Sequence, residues 1–278
     1  MDLRHVSGLA RPIDLSFPTN RWISALTLAV FVVAWVWRGL AGAGWLAAGG
    51  WAALAAIAVF LAWALARELD PDRDLAAFAA AGFMLPGLLL AGPGWIALPD
   101  LAALFLVLLV ARVLNRTTGV GATVPDALIV LGLGLWLALA STPVYLAAGI
   151  AALVIDGLLP PREARRSLLA VAGGTAAVLL FVFTADGSMK PPLHLISLAA
   201  ALVIAGLFAV AIRGAGRIDS VGDDDGKPLS PLRVRAAQVL ALATGLGVVL
   251  WNGSAGLIAL LPLWAAMTAA GAHRMARE

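Results

Sequence analysis

The chain has no cysteine, three histidines and two lysines, and only 13% of its 278 residues are charged. Without cysteine there can be no disulfide, thiolate metal site or cysteine nucleophile. His5, His194 and His273 all lie outside the apolar runs, which argues against buried haem or pigment ligation by imidazole. The charge content is about half the roughly 25% typical of soluble domains, too little to cover a soluble surface. No apolar run carries Lys, Arg, Asp, Glu or His near its centre. Ion-coupled transporters and proton relays place ionisable groups there despite the cost. Arg112 and Asp156 reach furthest inward, and both belong to run ends.

Familiar catalytic motifs are absent too. There is no phosphate-cradling Gly-Lys-Ser/Thr loop, no His-Glu zinc helix and no Gly-x-Ser-x-Gly elbow. Ser24, Thr27, Thr175 and Thr244 lie within apolar runs with no histidine to activate them. Bonding back to helix carbonyls is their expected role.

What is present is apolar: 62% of residues are hydrophobic. Runs of about 17–25 apolar residues, the length that crosses a hydrocarbon layer roughly 30 Å thick, recur from Trp22 to His273. They lack the alternating polarity of membrane β-strands. The expected class is an all-α polytopic transmembrane bundle in one membrane-embedded domain, 1–278, with an N-terminal arm over 1–21. Ten spans account for the pattern, near 22–38, 44–66, 75–92, 98–114, 125–141, 143–159, 166–185, 194–212, 232–251 and 254–272. The first resembles a secretory signal, but Arg38 separates its apolar run from Ala41-Gly42-Ala43, so it is expected to persist as a span. The longest polar interruption is the loop 213–231, within the stretch Arg213–Arg235.

Helix starts have local markers. Pro99, Pro125, Pro143 and Pro231 suit first turns, where a missing N–H costs nothing. Thr142 and Ser230 are candidate N-caps. Asp100 and Asp126 would set a carboxylate against the positive end of a helix dipole, a structural reading preferred to a catalytic one.

Charge placement predicts sidedness. With ten spans and a cytoplasmic N-terminus, seventeen of the nineteen Lys and Arg fall on the cytoplasmic side, leaving Arg38 and Lys190 outside. That is the bias of the positive-inside rule. Both termini are therefore expected to be cytoplasmic, with the spans grouped as five hairpins closed on the outer side. The Arg excess has this topological explanation, so nucleic-acid binding is not expected. Arg dominance over Lys and abundant Ala suggest a GC-rich bacterial genome, and hence a bacterial cytoplasmic (inner) membrane.

Trp35, Trp37, Trp45, Trp95 and Trp251 fall near the outer boundary, as an interfacial aromatic belt does. Gly42, Gly49, Gly50, Gly245 and Gly247 suggest close helix contacts. Pro86 and Pro262 lie inside expected spans and should kink them.

Chemistry, if any, is expected at the cytoplasmic face. One acidic cluster holds Glu68, Asp70, Asp72 and Asp74; another holds Asp219, Asp223, Asp224 and Asp225. Hard cations such as Mg²⁺ bridge carboxylates to substrate phosphates. Asp70, Asp72, Asp219 and Asp223 are thus candidate ligands for Mg²⁺, and Arg67, Arg112, Arg116, Asp156 and Lys227 candidate substrate contacts. The ordinary reading of both clusters is a hydrated turn. Asp156 is expected to pair with Arg112 or Arg162. The second cluster resembles the later acidic motif of intramembrane prenyltransferases, where Asp, Gly and Asp recur before a Gly. That family's Asn-initiated first motif is missing, the span count differs and the spacing around Gly226 departs from the pattern, so membership does not follow.

Three function classes stay open. One is an enzyme or binder handling a phosphate-bearing lipid at the cytoplasmic leaflet. Another is a non-catalytic membrane subunit or scaffold with a membrane-protein partner. The third is an uncoupled transporter of lipid or small solutes. All share the lipid bilayer as their surroundings.

Overall fold

The computed structural model describes residues 7–9, 13–162, 164–184, 194–223 and 226–276, without the side chains of 164–170 and 183–184. Asp224, Asp225 and Lys190 lie outside the described residues. The described chain forms ten α-helices and no strand: α1 (Pro18–Arg38), α2 (Trp45–Leu69), α3 (Asp74–Ala91), α4 (Leu101–Asn115), α5 (Val124–Ala140), α6 (Val144–Leu158), α7 (Ala164–Thr184), α8 (Leu195–Gly214), α9 (Pro231–Ala259) and α10 (Leu261–Met275). A single isolated bridge, Val221 with Pro228, closes the loop between α8 and α9.

Helices α2, α4 and α10 form the interior, and nearly every position of α4 is buried. Helix α1 rests on α2 and leaves most of its surface exposed, with only Ile23 and Ala34 buried. Helix α7 packs at the opposite flank, on α5 and α6.

By length and composition, five helices can cross a membrane: α1 with its following turn, α2, α3, α8 and α9. Of the others, α4, α6 and α10 are shorter than expected, at 15 residues each. Helix α4 starts at Leu101 rather than near 98 and has 15 residues, about 22 Å at 1.5 Å per residue. A helix enclosed by other helices can be short, because irregular backbone at its ends is buried in protein rather than lipid. At one end of α4, Asp100 Oδ1 accepts from Ala102 N (3.0 Å) and Ala103 N (3.1 Å), while Asp100 N donates to Ala259 O (3.0 Å).

Several local expectations need correction. Pro99 precedes the α4 cap, and Pro143 is itself the cap residue of α6. Thr142 Oγ1 does accept from Val144 N (3.3 Å), but Ser230 makes no side-chain cap bond. Pro125 and Pro231 lie in the first turns of α5 and α9 as expected. Pro86 lies inside α3. Pro262 is instead in the first turn of α10, because the expected tenth span is interrupted. The chain reverses at Gly253 (φ 58, ψ −130), a short helical segment folds back on α9, and α10 begins only after Leu260. A left-handed backbone with ψ near −130° is open essentially to glycine alone.

The glycine expectations divide. A Cβ on Gly245 would meet Trp264 at 2.9 Å, one on Gly247 would meet Val144 at 2.9 Å, and one on Gly49 would meet Trp35 at 3.3 Å. Gly42 and Gly50 make no close approach; Gly42 serves the turn after α1 through its φ of 89°. That turn holds much of the aromatic belt. Trp35 Nε1 donates to Trp45 O (2.8 Å), and Arg38 donates to Gly92 O and lies 5.1 Å over the Trp51 ring. Trp35, Trp37, Trp45 and Trp95 are exposed, and Trp251 is half-buried.

Candidate functional site

At the opposite end of the bundle, six chain segments meet in a polar layer. They are the N-terminal arm, the α2–α3, α4–α5, α6–α7 and α8–α9 connections, and the end of α10. Its centre is Asp156, near the end of α6 and 2% exposed. Arg116 meets it with two bonds, Nε to Oδ1 (2.8 Å) and Nη2 to Oδ2 (3.1 Å). Arg233, from the first turn of α9, adds Nη1 to Oδ1 (2.7 Å). The expected partners were wrong: Arg112 pairs elsewhere, and Arg162 bonds to Leu158 O (3.1 Å).

The other contacts of Arg233 reach the carbonyls of Leu114 (3.1 Å), Pro160 (3.0 Å), Leu159 (3.0 Å) and Asp156 (3.3 Å). These belong to the C-terminal ends of α4 and α6, where helix dipoles present partial negative charge. Arg116, the residue that ends α4, adopts the left-handed conformation (φ 52°) common at helix ends but unusual for a non-glycine residue. Its bidentate hold on Asp156 accompanies that backbone.

A second knot joins α2, α4 and the arm. Glu68 accepts from Arg112 Nε (3.0 Å) and Asn115 Nδ2 (3.2 Å), and Arg112 Nη1 reaches Leu9 O (3.2 Å). Asn115 and Gln238 cap consecutive carbonyls at the end of α2, Glu68 O (2.7 Å) and Leu69 O (2.6 Å). Their amide oxygens, turned away, are buried without a partner among the described residues. This is the least satisfied part of the layer, since such a group costs about 1–3 kcal/mol.

A third knot ties the C-terminal helix to the α2–α3 turn. Arg274 donates to Asp70 (Nη2, 2.9 Å) and to Gly214 O (2.6 Å). Asp126 does more than begin a helix. It completes a capping box with Thr123 and also accepts from Ser7 Oγ and Gly8 N (2.9 Å), pinning the arm.

The candidate metal ligands are only partly brought together. Asp70 faces Arg274. Asp72 accepts from the backbone N–H groups of Asp219 (3.1 Å) and Ser220 (2.8 Å), so the two acidic loops do touch. Asp219 pairs with Arg217 on the surface, and Asp223 N donates to Thr117 O (3.0 Å). Among the described residues no group of three His, Asp or Glu is placed to hold a metal ion. Of the candidate substrate contacts, Arg112, Arg116 and Asp156 lie in the buried knots, Arg67 pairs with Asp74, and Lys227 is on the exposed hairpin.

Burial pushes the Asp72 carboxyl up, but hydrogen bonds from Ser220 and Asp219 and the charge of Arg274 outweigh it and hold the group below the ordinary carboxylate value. A lowered folded value means stabilisation that is complete above the ordinary value of about 4 and lost as pH falls through the folded one. Asp72→Asn is therefore expected to melt below the native protein at pH 7. The gap should close as pH drops below about 4, when native Asp72 becomes protonated. Melting temperatures of both proteins from pH 7 to pH 3 check this; a gap that stays constant would remove Asp72 ionisation as the cause.

The sequence reading missed Arg233, Asn115, Gln238 and Arg274 as structural partners. Arg233 and Gln238 carried a legible signal, because with Val234, Ala237 and Ala241 they form the buried stripe of α9. A polar residue in register with such a stripe is buried and must find a partner.

Away from this layer, α1 and α2 enclose a side-opening groove of about 440 Å³, lined by Ser24, Thr27, Leu28 and Phe31 on one helix and Ala53, Ala56, Ile57 and Phe60 on the other, with Ile13 below. Thr175, Thr244 and Thr268 bond back to carbonyls four residues earlier, each at 2.8 Å. Thr27 does not: its Oγ1 is buried without a partner among the described residues.

Compared with models of known families, with curated proteins and with solved structures, the chain matches none.

Proposed function

We propose that this chain is a ten-span protein of a bacterial cytoplasmic membrane that binds a phosphate-bearing lipid from the inner leaflet without altering it chemically. The observation that carries this reading is the α1–α2 groove, apolar and open sideways. Its volume falls in the range of about 300–1,000 Å³ usual for small-molecule sites. Sidedness is supported by the distribution of seventeen basic residues against two. It is supported again by the meeting of the arm, the expected cytoplasmic loops and the end of α10 at one end of the bundle. Binding is favoured over processing because Glu68, Asp70, Asp126 and Asp156, each about 1–2% exposed, all face protein donors. Mg²⁺ at Asp72, Asp219 and Asp223 belongs to the processing reading alone.

The test is gentle extraction followed by native mass spectrometry, with topology reporters fused at Gly226 and Glu278. The expected result is a retained phospholipid whose mass does not change on incubation with Mg²⁺, and both reporters on the cytoplasmic side. A lipid converted to a product of different mass would establish an enzyme instead. Loss of all lipid under mild washing would end the binding reading. The subunit reading draws on one observation, the largely exposed surface of α1. It would be favoured by a stoichiometric membrane protein that co-purifies and is lost when that surface is made polar.

A further inference from the structure

We propose that the α1–α2 groove holds an ester-linked glycerophospholipid, with Arg21 binding its phosphate, Ser24 meeting its ester region, and one chain lying along Leu28, Phe31, Ile57 and Phe60. This deepens the lipid-binding reading and rests on it. Arg21 is exposed near the start of α1 and makes no side-chain bond among the described residues. In this respect it differs from Arg112, Arg116, Arg233 and Arg274, which are engaged within the polar layer.

Helical spacing puts Arg21 at the edge of the groove, one turn before the lining residue Ser24. It precedes Ser24 by three residues and Leu28 by seven, and residues so spaced share one side of a helix. Side chains of a helix lean toward its N-terminus, so the guanidinium is directed to the end where headgroups would lie. From Arg21 to Phe31 is about 15 Å of helix, half of a hydrocarbon layer about 30 Å thick. A chain following this path would end near the bilayer midplane.

The occupant is argued from three features. The walls are apolar and continue onto Leu28 and Ile57, 62% and 44% exposed, which suits a hydrocarbon chain entering from the side. A free guanidinium at the headgroup end suits a phosphate. The Ser24 hydroxyl is about 4.5 Å above Arg21 along the helix and makes no side-chain bond among the described residues. A purely hydrocarbon tail would leave that hydroxyl unmet. An ester carbonyl beneath the phosphate would accept from it.

The experiment uses the full chain in detergent and three probes with one photoreactive tail: a monoacylglycerol phosphate, its ether-linked analogue, and the monoacylglycerol without phosphate. In the native protein, crosslinks from the phosphate ester are expected on peptides containing Phe31 and Ile57 or Phe60. Arg21→Gln is expected to weaken the phosphate ester about fivefold, near 1 kcal/mol per basic residue at a lipid surface, and to leave the phosphate-free probe unchanged. Ser24→Ala should reduce the preference for ester over ether. Ala53→Trp should block labelling; mapping in the native protein serves as the independent measurement if that variant does not fold. Crosslinks confined to other helices would overturn the groove assignment while leaving lipid binding intact. Equal loss of all probes in Arg21→Gln would overturn the phosphate contact. No probe bound by the native protein would overturn both this proposal and the reading beneath it.

Discussion

Asp156→Ala is expected to lower stability by about 3–5 kcal/mol, because it removes the carboxylate that two buried guanidiniums share. Arg116 and Arg233 are 8% and 3% exposed and make three bonds to this carboxylate. Asp156→Asn keeps an acceptor and should lose less. Asp219→Ala is the control. Its pair with Arg217 is exposed on both sides, and such pairs contribute about 0–1 kcal/mol. Adding Arg116→Met to Asp156→Ala should recover part of the loss by removing one of the two buried charges, while Arg233 still has the carbonyls of α4 and α6. Denaturant or thermal unfolding in micelles measures all four proteins. If Asp156→Ala unfolds with the control, the buried knot does not hold this end of the bundle together.

Gly253→Ala carries the second large effect. At φ 58° and ψ −130° an L side chain is strained whatever the space around it, at a cost of about 1–3 kcal/mol. Space is lacking as well: the added Cβ would lie 2.0 Å from His194 Cδ2 and 2.6 Å from Cγ. The His194 ring is exposed and can swing aside at smaller cost, so a loss of roughly 1–3 kcal/mol is expected. Gly50→Ala is the opposite case, with nothing within 4 Å of the new methyl in a helix interior. There alanine should be neutral or stabilise by up to about 1 kcal/mol. Parallel melting curves of the two variants decide the matter. Similar behaviour would mean that the reversal at Gly253 is not what places α10.

Asp126 and Asp156 show where sequence reading works and where it stops. Pro125, beside Asp126 in the chain, already marks a helix start, and the capping box the structure adds with Thr123 joins residues only three apart. Nothing local announces that the same carboxylate holds Ser7 and Gly8, more than a hundred residues away. For Asp156, an inward carboxylate had to find a cation because burying an unpaired charge is too costly. Which cation was a matter of helix neighbours. Arg112 and Arg116 are four residues apart on α4, and the packing of α4 between α2 and α6 sends one to Glu68 and the other to Asp156.

The sequence by itself determined the all-helical class, the places where most helices lie and the segregation of charge from oil. These follow from run length, local caps and the cost of placing charge in hydrocarbon, which depend on residues close along the chain. Only the tertiary structure decided which charges are joined, how short an enclosed helix can be, and that α1 and α2 leave a groove between them. Each of those depends on contacts between residues distant in sequence, and their pairing is set by how the helices pack against one another.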